Sequence, residues 1–173
     1  NAVLAAARKG PLAAENFPFT VQYGYHFDSG LLGAFLRERA CGNGVVHEQA
    51  LVERVELAQD GDVRALHTQC GRVIGGDFFV DCTGFASMLA QQTLGVGFRP
   101  FAANLFNDRA VVLPTAHAAP FHPETNAVAM SAGWCWHIPL TSRMGNGYVY
   151  SSGFLSADAA ETELRRHLGM LES

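Results

Sequence analysis

The sequence has no run of roughly 18 or more apolar residues, so it offers no candidate transmembrane helix. It holds a single lysine, Lys9, and charged residues fill only 16% of its 173 positions, against roughly 25% in an ordinary soluble domain. A surface so poor in charge is expected to be covered in part by further protein. The formal net charge of -4 and pI near 5.9 leave no basic footprint for nucleic acid. Twelve Phe and the lack of any long polar or single-sign stretch exclude disorder. The four cysteines, Cys41, Cys70, Cys82 and Cys135, form no C-x-x-C pair, which removes zinc ribbons and thioredoxin-like chemistry. They read as buried, reduced thiols of a cytoplasmic protein. The Ala-rich start places Arg8 and Lys9 after its apolar run, the reverse of a signal peptide.

Familiar catalytic patterns are missing as well. There is no H-E-x-x-H and no histidine paired with cysteine at ligand spacing, so no metal site is expected, and His117 and His122 read as solvated loop residues. There is no G-x-S-x-G elbow for a serine hydrolase. Three G-x-G fragments, starting at Gly42, Gly95 and Gly145, lack the third glycine and the strand-to-helix setting that phosphate binding requires, and all three read as turns.

What is present points to a mixed α and β domain. Apolar residues make up 49%, but 25 of them are Ala and another 18 residues are Gly, so thin layers and close backbone approaches are expected. Thr20 to Tyr25 reads as a short strand. Asp28 and Ser29 cap a helix with an apolar stripe at Leu31, Leu32, Phe35 and Leu36, ending at Gly42. Val45 to Ala58 reads as strand, break, strand. Asp60-Gly61 marks a hairpin between 53–59 and 63–68, with a further turn at 69–72 leading into Val73-Ile74. Phe78-Phe79-Val80, continuously apolar, reads as a central strand of a parallel sheet, followed by a helical segment from Phe85 to Leu94. Beyond Gly95, Leu105–Leu113, Ala127–Trp136 and Tyr148–Ser152 read as strands, with Met144–Gly147 a turn pairing Trp134–Leu140 to Tyr148–Ser152. Ser156 caps a last helix whose acidic residues come early and basic residues late, and Gly169 closes it.

Two motifs carry chemistry. In Gly76-Asp77-Phe78-Phe79-Val80-Asp81-Cys82-Thr83-Gly84, Gly84 would let a ligand approach the backbone; an ordinary strand-to-helix turn is the plainer reading. In Gly133-Trp134-Cys135-Trp136-His137-Ile138-Pro139, a strand places Trp134 and Trp136 on one face, with Cys135 and His137 on the other. Each indole N–H needs a partner when buried, so a half-open ligand site and a core ledge are equally compatible with the pattern.

Together with Tyr25-His26-Phe27-Asp28, Asp108-Arg109-Ala110-Val111 and Gly147-Tyr148-Val149-Tyr150-Ser151-Ser152, these motifs resemble the flavin-dependent tryptophan halogenases over roughly Tyr23 to Gly169. W-x-W-x-I-P is the specific signature; D-C-T-G-F is shared more widely among flavoprotein monooxygenases. The resemblance implies an α/β fold: part of an FAD-dependent monooxygenase-like, doubly wound fold with an added antiparallel β-sheet. Residues 20–95 would belong to the FAD-binding region, and 96–173 would form the substrate-side sheet and C-terminal helix.

The resemblance also implies an activity. Reduced FAD, supplied by a separate flavin reductase, reacts with molecular oxygen; the flavin hydroperoxide captures a halide ion, and hypohalous acid chlorinates or brominates an indole such as tryptophan or another electron-rich aromatic. It places the cofactor against Val52, with Leu51 and Gly84 as further contacts, and sets Trp134 and Trp136 near the flavin, where they keep substrate from the hydroperoxide. The family's G-x-G-x-x-G, relay lysine, glutamate and halide-binding Thr-Gly have no counterpart here, and Lys9 lies in no matching motif, so the chain reads as an internal fragment or a natural truncation. An FAD-dependent aromatic hydroxylase, or a non-catalytic truncated domain that binds a partner, are the alternatives. Self-association through uncovered apolar surface is expected of the chain in isolation.

Overall fold

The computed structural model describes residues 2–10, 15–18, 22–117 and 123–171. The chain divides into two compact units, Asn1–Leu36 with Phe101–Ser173, and Arg37–Pro100. Beyond a short first helix, α1 (Ala2–Ala6), the segment 22–28 is irregular. The expected strand Thr20–Tyr25 is therefore not formed at 22–25, while Thr20, Val21 and also His122 lie outside the described residues. Helix α2 (Ser29–Gly42) forms as expected. The Asp28 carboxylate accepts from the amides of Gly30 at 2.9 Å and Leu31 at 3.2 Å, satisfying donors that the first turn leaves free.

The Arg37–Pro100 unit holds an antiparallel meander of β1 (Val52–Leu57), β2 (Val63–Thr68) and β3 (Val73–Gly75). Asp60-Gly61 makes the β1–β2 turn: Gly61 takes φ +92 and the Asp60 carboxylate accepts from Asp62 N–H at 3.1 Å. Residues 45–51, expected to begin a strand, are irregular. Phe78-Phe79-Val80 is not a strand either. No described residue pairs with it, and Phe78 and Val80 are 85% and 72% exposed. An apolar run becomes a central strand only where neighbours take up its amides and carbonyls and cover both faces. After it, Asp81 gathers four donors: Thr83 N–H, Thr83 Oγ1, Leu89 N–H and Ala90 N–H, at 2.6 to 3.1 Å. Those bonds, the Thr83 hydroxyl foremost, hold its carboxyl at about 2. They organise a 3₁₀ turn (Gly84–Ala86) and a single π-helical turn (Met88–Thr93) where a plain helix was expected.

The other unit is built on a four-stranded antiparallel sheet in the order β4-β7-β6-β5, with β4 Arg109–Val112, β5 Asn126–Met130, β6 Gly133–Pro139 and β7 Met144–Tyr150. Two expectations are corrected. The stretch 127–136 is a hairpin broken at Ser131-Ala132, not one strand, and 144–147 is strand, not turn. The β6–β7 turn lies earlier, where Leu140 N–H donates to the Arg143 carbonyl at 2.9 Å. Gly145-Asn146-Gly147 is thus strand, and at Gly147 the absent side chain serves packing rather than bending.

Helix α3 (Ala157–His167) is capped by Ser156, whose hydroxyl accepts from Ala159 N–H at 3.3 Å, and it covers one face of this sheet. Cys135, Tyr148, Tyr150, Ala160 and Leu164 form the buried core. The tyrosine hydroxyl of residue 148 accepts from Ala132 N–H at 2.9 Å and donates to Glu163 at 3.2 Å. Burial pushes the Glu163 carboxyl up, but hydrogen bonds from Ser131 and Tyr148 outweigh it and hold it below the usual range. Cys41, Cys70 and Cys82 are exposed free thiols, and only Cys135 has the burial expected of all four. No described helix is long and apolar enough to cross a membrane.

Candidate functional site

Strand β6 sorts its side chains by parity. Cys135 and His137 face α3, and Trp134 and Trp136 face the other way, as the spacing predicts. The indole centroids are 6.0 Å apart at 56°. Trp134 is 42% exposed and Trp136 half-buried, so the pair is not a sealed core. Three of their four cross-strand neighbours are small: Ala127 and Ala129 on β5 and Gly147 opposite Trp136 on β7, with Val149 opposite Trp134 the fourth. Trp136 lies directly over Gly147, where a β-carbon would collide with Cζ2 and Cη2 of the indole. Ala127, Ala129 and Gly147 thus make a thin floor beside two large rings.

Residues 25–28, 108–111 and 147–152 meet on the same sheet, whereas 76–84 belongs to the Arg37–Pro100 unit. His26 bonds through Nδ1 to the Pro139 carbonyl at 3.0 Å and through Nε2 to Thr125 Oγ1 at 2.9 Å. The carbonyl can only accept, so Nδ1 carries the proton and Nε2 receives the Thr125 hydroxyl. Arg143 Nη1 donates to Asp28 at 2.6 Å, and this bond, followed by the capped amide of Leu31, lowers the Asp28 carboxyl. Tyr25-His26-Phe27-Asp28 therefore docks on the end of the tryptophan strand and on the turn after it. Asp108 accepts from Ser152 N–H at 2.7 Å and from its hydroxyl at 2.6 Å, joining the segments at 108 and 147–152. A cavity of about 510 Å³ beside Tyr23, Tyr25 and His26 is lined also by Lys9, but by neither tryptophan.

The expected cofactor contacts lie in the Arg37–Pro100 unit. Val52 opens β1 half-buried, Leu51 before it is 62% exposed, and the Leu51 carbonyl accepts from Gln69 N–H at 2.9 Å. β1 is an edge strand. Gly84 lies on a separate segment, at the start of the 3₁₀ turn, with φ +62 and open space where a side chain would stand.

On the α3 side of the sheet the structure assembles a group that sequence spacing did not suggest: Cys135, His137 and His167, with ligand atoms all within 4.8 Å of one another. Cys135 and His137 are two apart on one strand face, a legible signal. His167 comes from the last turn of α3, and nothing local announces that α3 docks there.

The sequence model of the tryptophan halogenase family matches residues 2–172. The chain belongs to the tryptophan halogenase family. It is 38% identical over 165 residues to tryptophan 7-halogenase RebH of Lentzea aerocolonigenes, covering 93% of this chain and 31% of that protein. It is 40% identical over 148 residues to tryptophan 7-halogenase KtzQ of Kutzneria sp. (strain 744), covering 83% and 28%. Among solved structures, BrvH, a flavin-dependent halogenase from Brevundimonas sp. BAL3, superposes with TM-score 0.86 at 40% identity over 96% of this chain and 35% of its own. The chain thus spans about 28 to 31% of the length of these two curated relatives. The mixed α and β fold is that of this halogenase family.

Proposed function

We propose that this chain is a segment of an FAD-dependent halogenase that chlorinates or brominates an indole, such as tryptophan, or another electron-rich aromatic. Residues 20–95 would contribute to the flavin side, and residues 96–173 would supply the substrate-side sheet. The observation that carries the reading is the half-open tryptophan pair, Trp134 and Trp136, on the sheet face away from α3, within a chain of this family. The residues present fit part of an FAD molecule. Backbone groups at Val52 and Leu51 sit at a sheet edge beside an exposed side chain, and Gly84 leaves its backbone open to close approach. Bound in reduced form by the whole protein, FAD would supply the reaction of oxygen with halide that yields hypohalous acid. Trp134 and Trp136 would act as a wall that separates substrate from the flavin. Neither is an acid or a base, so their contribution is exclusion and positioning. A flavin reductase would deliver the reduced cofactor.

The test uses the full-length protein with FAD, a flavin reductase, oxygen, chloride or bromide, and tryptophan. Mass spectrometry should show a monohalogenated product with the halogen isotope pattern. A hydroxylated product alone would favour the hydroxylase reading. In Trp134→Phe, the ratio of halogenated to hydroxylated product should fall about tenfold, a difference of ~1.4 kcal/mol between competing barriers. Because Trp134 is 42% exposed, the melting temperature should change little, by no more than about 1 kcal/mol of stability. A large fall in melting temperature with an unchanged product ratio would make the ring a packing residue.

We infer also that the isolated chain associates with itself. Phe78, Val80 and Phe85 stand 85%, 72% and 103% exposed within a short segment, and surface of that kind calls for cover. Sedimentation should show species larger than a monomer that dissociate on dilution; a clean monomer at high concentration contradicts it.

A further inference from the structure

Cys135, His137 and His167 form a cluster on the sheet face opposite the tryptophans, and nothing in the proposed halogenation uses it. Cys135 Sγ lies 3.8 Å from His137 Nε2, which lies 3.0 Å from His167 Nε2. A tetrahedral ion with bonds of about 2.0–2.1 Å to nitrogen and about 2.3 Å to sulfur separates its nitrogens by about 3.4 Å and sulfur from nitrogen by about 3.6 Å. Those two separations need changes of a few tenths of an ångström, and the Cys135–His167 pair, within 4.8 Å, closes by up to about 1.2 Å as the exposed His167 swings in. The order of the cluster also favours ligation. Asn146 is 1% exposed, and its Nδ2 donates to the Leu113 carbonyl at 3.1 Å and to Thr115 Oγ1 at 3.0 Å. Both amide hydrogens are thereby used, so its Oδ1, 2.7 Å from His137 Nδ1, accepts. His137 therefore carries its proton on Nδ1 and presents the Nε2 lone pair to the cluster. A hydrogen-bonded Nδ1 fixing the ligating Nε2 is the usual support around a metal-bound histidine.

We propose that Cys135, His137 and His167 bind one divalent transition-metal ion, with zinc the best match, as a clamp between β6 and the end of α3. One thiolate and two imidazoles suit a borderline ion and offer no oxygen ligand to calcium or magnesium. His167 is exposed, which leaves the fourth position to water. On binding, the Cys135 thiol proton leaves to solvent, and the hydrogen that His167 Nε2 donates in its bond to His137 shifts to His167 Nδ1, freeing that Nε2 lone pair. Burial pushes the Cys135 thiol up, so displacing its proton opposes binding in part. The site lies away from the tryptophan face, so its role is structural and does not depend on the halogenase reading.

The test is titration of the tag-free, chelator-treated chain with cobalt(II), followed by competition with zinc. One equivalent of cobalt should produce the visible bands of a tetrahedral ion together with a thiolate-to-cobalt charge-transfer band. Zinc should remove both and raise the melting temperature. His167→Gln, at an exposed position, should fold normally and bind cobalt at least about tenfold more weakly, ~1.4 kcal/mol. Cys135→Ser should lose the charge-transfer band. The proposal is overturned if the wild-type chain shows no such bands, or if His167→Gln binds with unchanged affinity. It is equally overturned if Cys135→Ser keeps the charge-transfer band, which would assign the metal to Cys41, Cys70 or Cys82.

Discussion

Gly147→Ala is expected to destabilise the four-stranded sheet and to displace the Trp136 indole. The added methyl would fall on Cζ2, Cη2 and Cε2 of that ring, far inside contact distance. The indole is rigid and lies flat against β7, so it can yield only by swinging away or by parting β6 from β7. Overfilling of this kind costs about 1–3 kcal/mol, occasionally more, and the upper part of that range is expected because a ring and a backbone are opposed. Thermal unfolding should move down by several degrees, and tryptophan emission of the folded state should change as Trp136 leaves its floor. A melting temperature within about a degree of wild type, with unchanged emission, would mean that the ring does not rest on Gly147.

Tyr148 provides the other large effect, through two substitutions that separate packing from hydrogen bonding. It is fully buried between sheet and α3. Tyr148→Ala removes the ring and should cost about 3–5 kcal/mol, as for other large aromatic truncations. Tyr148→Phe keeps the ring but leaves Ala132 N–H without its acceptor and takes one donor from Glu163, at about 1–3 kcal/mol. Urea unfolding should order the three proteins wild type, Phe, Ala. An alanine variant less than about 1 kcal/mol below wild type would show that α3 is not held by this ring, and equal losses would put the stabilisation in the hydroxyl.

Local chemistry made much of the fold legible. The caps at Asp28 and Ser156, the Asp60-Gly61 turn and the parity of Trp134 and Trp136 each act within a few residues, and each appears as read. The misread elements depend on partners distant in sequence. Phe78–Val80 has the composition of a buried strand but no described neighbour to pair with. Gly145 to Gly147 looked like a turn because glycine permits one, whereas at Gly147 it is required by an indole eleven positions earlier in the chain. The docking of His26 and Asp28 on the β6–β7 end, across separations of 113 and 115 residues, has no local signature. Neither does the meeting of His167 with His137.

The alternation of β6 limits how this part of the protein can diverge. Adding or deleting one residue between Gly133 and Pro139 would exchange its two sides at once, driving both indoles against α3 and turning Cys135 and His137 outward. The turns at either end give no slack: Ser131 bonds to Glu163, and Arg143 to Asp28. An insertion or deletion between Ser131 and Arg143 is therefore expected to cost both faces together, whereas side chains there can be exchanged in place.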